Sequence, residues 1–186
     1  MIRDRQRTTC VEVAETIPAE QLEPAWELYN TVFAELRSAA VQRHLMFRAE
    51  FDEVMYDGRV EKFLSFADGR LNGLATLTNR LEAMPLISPD YFERRWPRHY
   101  AERRIWYVGF LAVHPDDRGG GTFTRLAEAM YPSFRGKRAL IAVDVCRRNE
   151  RIGLPKAIQW ALARFDAGVR GRRVDEQSYW LYELTA

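Results

Sequence analysis

Cysteine, histidine and lysine are scarce in this 186-residue chain, and it has no long uninterrupted apolar run. The two cysteines, Cys10 and Cys146, stand far apart, which excludes a disulfide framework, and no cysteine and histidine cluster has zinc-site spacing, so no metal is expected. A reducing compartment suits that composition. The first residues, Met1 to Arg5, are charged and lead into no apolar signal-like region, and no segment approaches the roughly 20 apolar residues that span a bilayer. A cytoplasmic location and no membrane partner are therefore expected. Only Lys62, Lys137 and Lys156 among the 28 basic residues are lysines. A strong charge of either sign is missing too: the formal net charge is +2, and the arginines are scattered along the chain. Without a basic stripe or a known reader motif, no nucleic-acid partner is expected, although doublets such as Arg94-Arg95 and Arg103-Arg104 keep that reading open to a salt-dependence test.

What is present is apolar and aromatic material, 47% and 12% of the residues, enough for one sizeable core. A single domain over residues 1–186 is expected, with a polar tail at 1–8. Thr9 to Ala14 alternates like a strand. After Pro18, the residues Leu22, Trp26, Tyr29, Phe33 and Leu36 recur at helical spacing, and a second helix is expected from Val41 to Tyr56. Two extended runs, Lys62 to Ala67 and Arg70 to Asn79, flank Asp68-Gly69, a strong hairpin signal. Residues 80–104 break the rhythm with Pro85, Pro89 and Pro97 and read as an ordered insertion.

Ile105 to Val113 is the most apolar stretch and reads as a central strand buried on both faces, with Gly109 marking a bulge or a close approach. Thr122 to Tyr131 resumes helical spacing. Ala139 to Cys146 reads as another buried strand, Pro155 opens a helix that Gly168 stops, and Ser178 to Leu184 reads as a final strand. The order specifies an α/β fold with one central mixed sheet flanked by helices.

Between the central strand and the next helix the chain runs Val113-His114-Pro115-Asp116-Asp117-Arg118-Gly119-Gly120-Gly121-Thr122-Phe123. Glycines let successive amides converge, and the helix that begins there adds unpaired N–H groups and the positive end of its dipole, which together suit a diphosphate. A tight turn that binds nothing has the same local pattern. The run lacks the Gly-Lys-Ser/Thr ending of a P-loop, which excludes that nucleotide site.

The strand, Val-His-Pro, Arg-x-x-Gly and helix resemble motif A of the GCN5-related N-acetyltransferases, whose signature is Arg/Gln-x-x-Gly-x-Gly/Ala. The resemblance covers the element order of nearly the whole chain, but only about twenty residues as motif. It implies the acyl-CoA N-acyltransferase fold and transfer of an acetyl or other short acyl group from acyl-coenzyme A to a small-molecule or peptide amine. By the same resemblance, Leu111 and Val113 would pair with the pantetheine arm, the amides of Arg118, Gly119, Gly120, Gly121, Thr122 and Phe123 would hold the pyrophosphate, and Asn149 would touch the pantetheine side. Phe123 departs from the family pattern where a glycine or alanine is usual; its ring either crowds the diphosphate or turns into the helix packing.

The family's glutamate on the fourth strand and tyrosine after the fifth have no counterpart here, since the helix after Asn149 offers only Lys156 and Trp160 nearby. Position alone selects Asp144, beside the expected parting of two parallel strands, as a base or as the partner of an arginine, and Tyr179 (with Tyr182 on the opposite face) as an acid or a packing residue. His44, His99 and His114 are assigned no chemistry. The acceptor is expected near the first two helices, residues 80–104 and the last strand, whose aromatic and arginine content suits an amine bearing an apolar part or a carboxylate. The missing pair also leaves open a non-catalytic acyl-CoA-binding module. A homodimer is compatible with all of this.

Overall fold

The computed structural model describes residues 8–39, 45–85 and 87–184. Five strands form one sheet in sequence order, β1 Thr9–Ala14, β2 Glu61–Ala67, β3 Arg70–Thr78, β4 Ile105–Val113 and β5 Leu140–Ala142. The first three junctions are antiparallel and the last, β4 with β5, is parallel. Asp68 and Gly69 join β2 to β3 with φ of 51° and 78°. Positive φ at both central residues is the type I′ geometry whose twist matches the flanking strands.

The sheet is covered on both sides because its central strands are apolar on both faces. On one face Leu64, Leu74, Tyr107, Phe110 and Ala112 pack with α1 (Ala19–Phe33) and, beyond the single turn α2 (Leu36–Ala39), with α3 (Arg48–Tyr56). The helical stripe supplies Tyr29, Phe33 and Phe51, which surround Phe110 at ring separations of 4.9, 6.2 and 6.2 Å. On the other face Phe63, Ala75, Leu77 and Trp106 meet Leu126 and Met130 of α6 (Thr122–Phe134). Residues 80–104 form a 3₁₀ turn at Leu81–Ala83 and two short helices, α4 (Pro89–Arg95) and α5 (Pro97–Ala101), each with a proline in its first turn, where the missing N–H costs nothing.

Several sequence expectations change. The second helix was expected from Val41, but begins at Arg48, where Glu50 accepts the Phe47 N–H and closes the first turn; residues 41–44, with His44, lie outside the described residues. The expected strand from Ala139 to Cys146 is confined to Leu140–Ala142 and is half-buried, because among the described residues it is an edge strand and it parts from β4 after three pairs. A short helix not foreseen, α7 (Arg147–Arg151), follows, and α8 (Leu154–Ala163) ends short of Gly168. Ser178 to Leu184 is not a strand. It runs irregularly with Trp180 77% and Leu184 97% exposed. Aromatic and apolar residues supply strand propensity, but a strand exists only where a sheet edge receives it.

Candidate functional site

The site begins at a bulge. Thr76 pairs with Phe110 and Leu77 with Val108, so Gly109 is the extra residue on β4. A Cβ at Gly109 would stand 2.4 Å from Met84 Cε and 2.7 Å from Thr76 Oγ1, a closeness that only glycine permits. Beyond the bulge the Phe110 amide donates to Thr76 Oγ1 and the His114 amide to the Asn72 carbonyl, both towards β3. Strand alternation then turns the N–H and C=O groups of Leu111 and Val113 to the opposite edge. Pairing with β5 stops at Tyr107 and Ala142, so among the described residues that edge is open from Val108 onward.

A 3₁₀ turn at Pro115–Asp117 leads from β4 into the glycine loop. Asp117 is buried and accepts Arg70 NH2 at 2.9 Å, tying the loop to the start of β3. Gly119 and Gly121 have φ of +83° and +80°, a left-handed pattern strained for any side chain, and Gly121 is the N-cap of α6. The amides of Arg118 and Gly120 turn back onto the carbonyls of Pro115 and Asp117. Among the described residues, those of Gly119, Gly121, Thr122, Phe123 and Thr124 donate to no protein acceptor. Together with the dipole of a 13-residue helix they form a run of unengaged donors suited to an anion.

Buried polar groups beneath the loop hold the helix start in place. Thr122, 1% exposed, accepts Asn72 Nδ2 at 3.3 Å and Arg125 NH2 at 2.8 Å, while Arg125 NH1 donates to the Gly120 carbonyl at 3.0 Å. Phe123 is half-buried and belongs to neither apolar core.

At the base of the parting, the Tyr107 phenol donates to Asp144 Oδ1 at 2.6 Å. Burial first, and then the Asp144 carboxylate, keep the phenol protonated well above the usual tyrosine range. Asp144 is exposed rather than carried on a buried strand, and one of its oxygens accepts the Tyr107 hydroxyl. Asn149 lies on α7, half-buried. Tyr179 lies on the irregular C-terminal stretch and is 49% exposed, so the last-strand placement that selected it is not found. His114 is a turn residue whose Nδ1 accepts the Asp116 amide. The structure thus brings together Leu111, Val113 and the loop, with Asp144 at the parting of β4 and β5.

Sequence reading missed Tyr107, Asn72 and Arg125. Only Arg125 had a local signal, since helical side chains lean towards the N-terminus and a residue one turn inside α6 reaches back over the loop. A cavity of about 180 Å³ lined by Glu50, Glu53, Asp57, Arg59 and Glu82 among others shares no residue with the loop. Main-chain amides at a surface turn enclose little volume, so the cavity and the anion cup are separate features.

No family model and no curated relative matches the chain. Among solved structures, the chain is similar to the aminoglycoside N-acetyltransferase AAC(6')-Iy in complex with CoA, at 15% identity and TM-score 0.57, covering 96% of this chain and 99% of that one. It is similar to a GCN5-related N-acetyltransferase from Ralstonia eutropha JMP134 at 15% identity and TM-score 0.56, covering 94% and 99%. It is also similar to an aminoglycoside acetyltransferase from an uncultured soil metagenomic sample in complex with sisomicin, at 12% identity and TM-score 0.55, covering 94% and 97%. The chain has the fold of the GCN5-related N-acetyltransferases, the fold its loop motif implied.

Proposed function

We propose that this protein transfers an acetyl or other short acyl group from acyl-coenzyme A to an amine. The observation that carries this reading is the coincidence of an open β4 edge at Leu111 and Val113 with unengaged amides at Gly119, Gly121, Thr122 and Phe123. An extended pantetheine arm matches the first and a diphosphate the second. The CoA bound to AAC(6')-Iy, whose fold this chain shares, supports the same assignment. Asn149, on the helix that follows β5, is our choice for a contact on the pantetheine side.

Chemistry at the thioester needs no covalent enzyme intermediate. The amine nitrogen attacks the thioester carbon, the carbon–sulfur bond breaks, the amine proton leaves to a base and the coenzyme A thiolate takes a proton. Asp144 is our choice of base, acting through water. Tyr179 is our choice of acid and requires the C-terminal stretch to approach the thiolate. The acceptor is an amine of small-molecule or peptide size; amino acids, peptides and aminoglycosides such as the sisomicin bound to the soil acetyltransferase form the test panel. The reaction and the absence of a membrane-spanning helix among the described residues are consistent with a cytoplasmic enzyme.

Calorimetric and thermal-shift titration with acetyl-coenzyme A, followed by a thiol-release assay on that panel, tests the proposal. Binding and acceptor-dependent release of coenzyme A are expected. Neither heat nor stabilisation at millimolar ligand would end the acyl-CoA reading. Tight binding with no release on any acceptor favours the second reading, a non-catalytic acyl-CoA module, for which the lack of a carboxylate on β4 is the specific observation.

A further inference from the structure

Arg125 is a cation that the protein places at the loop and does not neutralise. It forms no ion pair with a carboxylate among the described residues. Its guanidinium instead reaches back one helical turn. NH1 lies 3.0 Å from the Gly120 carbonyl, NH2 lies 2.8 Å from Thr122 Oγ1, and Nε is buried without a hydrogen-bond partner. A Cβ at Gly121 would be 3.1 Å from NH1, so the cation sits against the very residue that caps α6.

Leaving a guanidinium half-buried beside unengaged amides with no counter-ion is unfavourable unless an anion completes the site. We propose that Arg125 is the positive charge of the diphosphate site. It draws the Gly120 carbonyl away from the amide cup and offsets the negative charge of the bound diphosphate. This inference rests on the acyl-CoA reading and adds to it a residue outside the Arg-x-x-Gly-x-Gly/Ala motif. The planar fork makes two simultaneous bonds that a lysine ammonium on a flexible stem reproduces only in part.

Calorimetric titration with coenzyme A at low and at high salt, using the wild type, Arg125→Ala and Arg125→Lys, tests it. Arg125→Ala is expected to weaken binding about tenfold or more at low salt, the difference is expected to narrow at high salt, and Arg125→Lys is expected to recover part of the loss. Unchanged affinity in Arg125→Ala overturns the proposal. So does a loss that is the same at both salts and is not relieved in Arg125→Lys, which marks a purely structural residue. Wild-type failure to bind coenzyme A overturns the acyl-CoA reading itself, whereas wild-type binding with an indifferent Arg125→Ala overturns this inference alone.

Discussion

The Tyr107 phenol and Asp144 Oδ1 are joined by a 2.6 Å hydrogen bond at the last paired position of β4 and β5, where Tyr107 faces Ala142. The bond ties the irregular chain after β5 back to the central strand at the point where the sheet opens.

Because that phenol is held protonated above its ordinary range, Tyr107 contributes stability that is complete below the unfolded tyrosine value of about 10 and is lost as pH rises beyond it. In urea titrations from neutral pH to strongly alkaline pH, the wild type is expected to lose stability above that point by a component missing from Tyr107→Phe. Parallel pH curves for the two proteins would contradict it.

Asp144→Asn keeps a hydrogen-bond acceptor for Tyr107 but removes the ability to take a proton. If Asp144 is the base, kcat falls roughly 100-fold or more while coenzyme A affinity stays unchanged. Turnover within twofold of wild type would remove Asp144 as the base. Tyr179→Phe, measured in parallel, is expected to lower kcat, and unchanged turnover removes Tyr179 as the acid.

Lys62 is buried, and its ammonium donates to the carbonyls of Glu15, Asp57 and Val60 at 2.7, 2.6 and 2.7 Å. Burial pushes it down to about 8 from 10.5, against the opposing charges of Asp57 and Glu15. Between those values the unfolded chain binds more protons than the folded one, so wild-type stability is expected to rise with pH across that window. Lys62→Met strands three carbonyls, is expected to be roughly 2–4 kcal/mol less stable near neutral pH, and lacks the rise. Denaturant titrations along the pH series check both; a flat difference between the proteins would refute the pH component.

Gly121→Ala forces a side chain into φ +80° and against Arg125 NH1. A stability loss of about 1–2 kcal/mol and a weakened coenzyme A site are expected together, read by thermal melts and calorimetry. Full binding in that variant would show that the loop tolerates another backbone path.

Much of the fold was legible because its signals are local. The Asp68-Gly69 hairpin, the central strand with Gly109 at its bulge, and the glycine run opening α6 were each read from a few adjacent residues. The expected strand at Ser178–Leu184 carried an equally clear aromatic and apolar run and is absent, since nothing within those residues says whether a sheet edge awaits them. The expected start of the second helix at Val41 rested on apolar spacing alone, whereas the Phe47 and Glu50 cap begins it at Arg48.

Sequence by itself determined the hairpin turn, the run of glycines that permits left-handed backbone at Gly119 and Gly121, and the continuous apolar run that buries β4 on both faces. Sterics and periodicity act over a few neighbouring residues, so they are written in order along the chain. Tertiary structure decided where β5 leaves β4, that the Leu111 and Val113 edge stays open, and that Tyr107 meets Asp144 across 37 positions. Those outcomes depend on which distant segments compete for one strand edge, and that competition is resolved only when the sheet assembles.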